Sequence, residues 1–384
     1  WGSSQGFSFK AAQHFSAKEY KNLGLLLNKA ILFNVSIGLL IFIILFFFGA
    51  TIFSSFLQNE SALSNLDILL KCMSFDGPLI AFQMINIKYF SCTQQMKPLL
   101  FCSLIGLGTQ VIFQLIFITS LGWVVAGTGL SFVLASCCYI GSTLYYFFFH
   151  NPYPEVIVSF KFDETWDGLL DFIVYSLPLG LVVFIGFAAI EVMQFLALMD
   201  SEFTFTCYAL TQNILAITTI FGEGMTLGNN VYLNYALSGK KHDLLNTIIT
   251  VTSSILLMYG ALIAIILGVF FEEIITLYTS IPEVIYTLSS FKLYVILVIT
   301  SINFCSFFSE ALSALDSYVF PCMTQFFGRY VLFALLSWLL VPSLEAKTFI
   351  ISNFIIIWLV NILNLSFLLY KTNSYQKQEY EKLK

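Results

Sequence analysis

The chain has 384 residues, a formal net charge of -5, only 10% charged residues and 58% hydrophobic ones, and its mean hydropathy is +0.87. No soluble domain of that length carries so apolar a composition, so the sequence reads as an all-α polytopic membrane protein. Its sparse charge offers no nucleic-acid patch, and three scattered histidines and eight cysteines without a C-x-x-C pair offer no zinc spacing or disulfide framework.

In chain order, residues 1–12 read as the end of a helix. Full spans are predicted at 27–55, 67–93, 98–120, 122–149, 168–199, 203–236, 243–270, 282–312, 318–342 and 347–370. The longest polar connection, His150 to Asp167 with Pro152 and Pro154, divides the spans four against six. The predicted organisation is an N-terminal lobe at 1–150, a linker at 151–167, a C-terminal lobe at 168–370 and a charged tail at 371–384. Lys18, Lys21, Lys29, Lys97, Lys161, Lys240 and Lys241 fall in alternate loops, and Lys371, Lys377, Lys382 and Lys384 in the tail. The opposite loops hold almost none, Lys347 excepted. Positive residues stay on the cytoplasmic side, which places the tail there and Asn59-Glu60-Ser61, a weak glycosylation match, outside.

A long-period repeat runs through the chain. Ser16-Ala17-Lys18-Glu19-Tyr20 returns as Ser238-Gly239-Lys240-Lys241-His242, 222 positions later, and Lys71, Pro98 and Gly106 have counterparts in Lys292, Pro321 and Gly328. The common offset, in phase with hydropathy, predicts two homologous helical bundles in parallel orientation. Carried back from Gly168, it predicts roughly fifty further residues before Trp1 in a complete first bundle: one helix and most of a second.

Ionisable groups inside spans are costly and therefore candidate functional sites. Glu191 is a lone carboxylate deep in the apolar run 170–199, which also holds Pro178, Gly180 and Gly186. Buried among Phe184, Phe187 and Phe195 it would serve as a proton carrier; near the end of a long helix it would instead reach the headgroups. Phe187 could stack on an aromatic cation or simply face lipid. Asp76, in Phe75-Asp76-Gly77-Pro78, is either functional or the cap of a broken helix. Lys88 and Glu310 are expected to snorkel to the interface. Arg329 is expected to pair with a carbonyl or Glu310. Asn213 and Asn303 are mid-span amides suited to interhelical hydrogen bonds, and Gly222, Gly224 and Gly228 to close helix contact. With no catalytic grouping or nucleotide motif, an enzyme is not expected.

Four stretches carry a resemblance to a known family. Gln13 to Gly24 resembles Q-x-[FY]-G-[AS] followed by L/V-G. Lys88-Tyr89-Phe90-Ser91-Cys92-Thr93, with Pro98, resembles [KR]-[YF]-L-Q-x-Q…P. Leu177-Pro178 through Glu191 resembles L-P…E-W-W-x-x-E, and Gly224 through Gly239 resembles G-x-x-x-A…G-N-x-L-G-A-G. On these the chain resembles the multidrug and toxic compound extrusion (MATE) transporters, closest to their eukaryotic branch, with the front of the twelve-helix fold truncated. It departs from the pattern at Gly186, which stands at the first Glu position, and at Phe187-Ala188, which replace two Trp. Family acids fall on Asn213 and near Ile302 or Asn303. Glu191, Phe187 and Asp76 by their place in the spans, and Asn213 and Asn303 because family acids fall there or close by, are the coupling and substrate-binding candidates.

The implied function is secondary active antiport: a small organic solute, cationic or drug-like, leaves as protons or Na⁺ enter, with no other cofactor. A monomer in the plasma membrane or in a vacuolar or other organelle membrane is expected. Two alternatives stand beside it: a vestigial relative with a structural role, and a flippase for lipids or lipid-linked sugars.

Overall fold

The computed structural model describes residues 4–54, 60–158, 162–238, 242–315, 317–344 and 347–382. Asn59 of the weak sequon and Lys161, Lys240 and Lys241 of the charged loops lie outside them. Among the described residues no strand occurs. The helices are α1 (Gln5–Ser16), α2 (Tyr20–Ser54), α3 (Glu60–Ser74), α4 (Asp76–Cys92), α5 (Met96–Gln114), α6 (Val124–Phe149), α7 (Phe162–Trp166) and α8 (Leu169–Asp200). They continue as α9 (Glu202–Ser238), α10 (His242–Thr276), α11 (Pro282–Ser290), α12 (Lys292–Ala314), α13 (Val319–Phe326), α14 (Phe333–Leu344) and α15 (Lys347–Lys382). A bilayer leaves no water for an unpaired backbone, so long helices that satisfy their own hydrogen bonds are the outcome the composition requires.

The turns fall where the polar interruptions are. Gly122 and Gly168, both at φ +68°, occupy the left-handed region that glycine enters without a steric penalty, ahead of α6 and α8. Among the described residues eight helical stretches are long and apolar enough to cross a membrane, or nine when the α3–α4 pair, bent by 43°, is counted as one span. The predicted span at 203–236 is helical as α9, whose 37 residues include six Thr and four Asn and which is not among these eight.

The repeat is visible in the elements themselves. α2 and α10 are each 35 residues long, and His242 begins α10 222 positions after Tyr20 begins α2. The same shift carries the broken pair α3–α4 (Glu60 to Cys92) onto the broken pair α11–α12 (Pro282 to Ala314).

The chain forms two compact units that divide within α8, between Gly180 and Leu181. The first unit is cored by Phe7, Leu23, Leu27, Ile85, Tyr89, Phe90 and Phe172, which brings α1, α2, α4 and the first turns of α8 together. The second is organised on α12, which packs against α9, α10 and α15. In its most apolar window 72% of α12 is buried, against 11% for α2. α12 is therefore an interior helix, while α2 presents Leu40, Phe47 and Phe48 outward as a lipid-facing helix does.

Candidate functional site

In the first unit the span breaks at Phe75, because Pro78 has no N–H to donate and its ring opposes a continuous helix. There α2 and α4 meet backbone to backbone: a Cβ on Gly38 would lie 2.7 Å from Pro78 Cα and 2.8 Å from the Gly77 carbonyl. Asp76 opens α4, and Phe75, not Asp76, holds the cap position. Asp76 is buried. Its Oδ1 has no hydrogen-bond partner. A carboxylate so placed is an incompletely satisfied buried group, the kind of site where a proton or cation is held.

Lys88 corrects an expectation. It does not snorkel to the interface but is fully buried, 1% exposed, and its Nζ donates to Gln5 Oε1 of α1 at 3.1 Å. One turn on, Cys92 Sγ donates to the Ser8 carbonyl at 3.2 Å. These contacts join α4 to α1; nothing in the spacing of Gln5 and Ser8 singled them out. Asn86 donates to Thr143 Oγ1 of α6 at 3.3 Å, and Asn151 donates to Tyr89 Oη at 2.8 Å.

In the second unit, α8 turns Val182, Ala189, Met193 and Ala197 inward. Glu191 lies on the opposite, exposed face of the helix. Phe184, Phe187 and Phe195 share that face and are exposed with it, so these rings form an apolar surround without enclosing the acid. Asn213 of α9 is also exposed. Asn303 of α12 is buried and fits against Gly222 of α9, where a Cβ would come within 2.0 Å of its Oδ1. Asn213 and Asn303 thus do not form one pair: the α9 contact of Asn303 is more than two turns beyond Asn213.

Arg329 finds a carbonyl, one of its two expected partners. Its Nη1 donates to the Gly186 carbonyl at 3.1 Å and its Nη2 reaches Cys305 Sγ at 3.7 Å. The adjacent Tyr330 Oη donates to the Ile185 carbonyl at 3.0 Å. Both residues lie in a π-helical turn, Phe327–Leu332, which widens the helix where it grips α8. All eight cysteines are free: Cys92, Cys102, Cys207 and Cys305 are buried, Cys72 and Cys322 half-buried, and Cys137 and Cys138 exposed. No group of His, Cys, Asp and Glu suited to a metal occurs among the described residues.

Residues 1–116 match the MatE family model. Protein DETOXIFICATION 18 of Arabidopsis thaliana is 26% identical over 298 residues, covering 70% of this chain and 60% of that protein. The chain thus resembles MATE proteins in sequence over its first third. The fold matches the eukaryotic MATE transporter AtDTX14 with a TM-score of 0.87 at 12% identity, covering 98% of the chain and 86% of AtDTX14. An outward-facing multidrug resistance MATE transporter of the MOP superfamily superposes with a TM-score of 0.86 at 15% identity, over 97% of the chain and 84% of its own length. Both of these solved proteins are transporters by name, and the long apolar helices make this chain an integral membrane protein. The chain spans about three-fifths of the length of DETOXIFICATION 18.

Proposed function

We propose that this chain is a MATE-type secondary active antiporter, exporting a small organic solute, cationic or drug-like, in exchange for protons or Na⁺. Glu191 carries the reading. An exposed face of a membrane helix meets either lipid or a path for solute, and a carboxylate is expensive against lipid. Its exposed neighbours Phe184, Phe187 and Phe195 suit the rings or alkyl groups of an organic cation. One carboxylate offered in turn to a proton and to a positively charged solute makes their binding competitive, and competition at one site is the basis of exchange. Alternating exposure of that site through movement of the two helical bundles would complete the cycle. Asp76, buried with an unpartnered oxygen, is a second candidate for the coupling ion.

The test is uptake of tetraethylammonium into proteoliposomes holding the chain, driven by an imposed pH or Na⁺ gradient. Glu191→Gln is expected to abolish gradient-driven uptake while leaving the protein folded and inserted. Uptake at the unsubstituted rate would remove Glu191 from the mechanism.

A further inference from the structure

α10 does not run straight to its end. At Phe270 (φ −105°, ψ 24°) the backbone leaves helical geometry inside the helix. Just ahead of that break the Gly268 carbonyl accepts a hydrogen bond from Lys292 Nζ. In an unbroken helix this carbonyl accepts from the N–H of Glu272, and a side chain entering the ladder is a known cause of a bend.

Lys292 comes from a second break. α11 ends and α12 begins at Phe291 (φ −124°, ψ 25°), and Lys292 is the first residue of α12. The two breaks are therefore side by side, joined by one charge-assisted hydrogen bond. The Lys292 ammonium also lies 5.9 Å from the centre of the Phe271 ring. Lys71, its counterpart in the repeat, pairs instead with Asp67 one turn back at 2.7 Å. The position matching Asp67 is Leu288, which is buried, so no carboxylate competes there with α10 for Lys292.

Between the breaks lie residues 271–290: the end of α10, a turn and α11. Their covered side is Phe271, Ile275, Val284 and Leu288, in one buried cluster with Cys207 and Tyr208 near the start of α9. Leu277, Ile281 and Tyr286 are exposed. At a helix break φ and ψ can change without disturbing a regular ladder, and a segment with a break at each end can turn about the line that joins them.

We propose that residues 271–290 form a hinged lid over the start of α9, with Phe270 and Phe291 as its pivots and Lys292 as the group that sets its angle. While the ammonium holds the Gly268 carbonyl, α10 stays bent and α11 lies on α9. When it lets go, the N–H of Glu272 takes that carbonyl, α10 straightens and the lid lifts from Cys207. The lid stands on this geometry alone and does not depend on the cation-exchange reading.

The test is alkylation of the native cysteines by N-ethylmaleimide in lipid nanodiscs, followed peptide by peptide by mass spectrometry. Cys207, under the lid, and Cys305, inside α12, are both fully buried, so Cys305 reports general loosening of the unit. Lys292→Met is expected to raise the Cys207 rate about tenfold, the scale of losing a hydrogen bond to a charged group, with Cys305 unchanged. Lys292→Arg keeps a cationic donor and should stay near the original rate. Equal Cys207 rates in Lys292→Met and the unsubstituted chain would overturn the proposal, as would Cys207 and Cys305 speeding up together. If Lys292→Met does not fold, amide hydrogen exchange in the unsubstituted chain decides. Exchange of α11 as a unit, faster than α12 beyond Phe291, supports the lid; α11 protected as strongly as α12 overturns it. Neither readout involves transport, so a failure of cation uptake leaves the outcome unaffected.

Discussion

Asn303 of α12 occupies the space beside Gly222 of α9 so completely that a methyl group on Gly222 would stand 2.0 Å from the amide oxygen, 2.3 Å from its carbon and 2.8 Å from Asn303 Cβ. Because Cβ and the amide carbon conflict as well as the oxygen, a rotation of the amide alone does not relieve the overlap. Gly222→Ala is expected to push α9 from α12 and cost about 1–3 kcal/mol, the usual range for overpacking. Thermal unfolding in detergent measures it. Asn303→Ala combined with Gly222→Ala should recover much of the loss, and failure to recover would show that the contact is not what limits the site.

Gly24 of α2 packs against the linker between α6 and α7. A Cβ there would meet the Val156 carbonyl oxygen at 2.3 Å, a backbone atom that cannot swing aside. Gly24→Ala is expected to destabilise the first unit by about 1–3 kcal/mol despite the gain in helix propensity. The expected signature is faster hydrogen exchange at Val156 and Val158 than in the unsubstituted chain. Unchanged protection would argue that the linker accommodates the methyl group.

Asp76 of α4 is a buried carboxylate whose Oδ1 has no partner. Asp76→Asn keeps the shape and removes the charge. If Asp76 holds the coupling ion, solute uptake in the variant should lose its dependence on the imposed gradient while unfolding stays at or above the original temperature. Normal gradient dependence in Asp76→Asn would leave Asp76 a structural residue.

Glu19, in the turn between α1 and α2, accepts from His14 Nδ1 at 2.7 Å and from Asn22 Nδ2 at 3.1 Å. These bonds, His14 first, hold its carboxyl below the ordinary value of 4.5. The folded state therefore binds this proton less readily than the unfolded chain. The bonds support the turn above the unfolded value and lose their effect as pH falls through the lower folded one. Both partners are solvent-accessible, so the contribution is small and weakened by salt. A carbon-13 titration of the Glu19 carboxyl should show a depressed midpoint, and His14→Ala should return it toward 4.5. An unmoved midpoint would show that the imidazole is not its cause.

Composition and hydropathy determined the all-helical membrane character, because a bilayer admits few ways to satisfy a backbone and long apolar runs fit one of them. Charged and proline-rich interruptions located the turns, and a shared offset of 222 positions foretold the matched lengths of α2 and α10. What a one-dimensional pattern does not hold is which face of a helix its neighbours cover. That alone decided that Lys88 is buried on Gln5, that Glu191 stands on an exposed face of α8, and that Arg329 reaches the Gly186 carbonyl on another helix. In spans apolar all round, hydropathy has almost no moment to read, so the choice between lipid, neighbour and solute path is made by packing between distant segments.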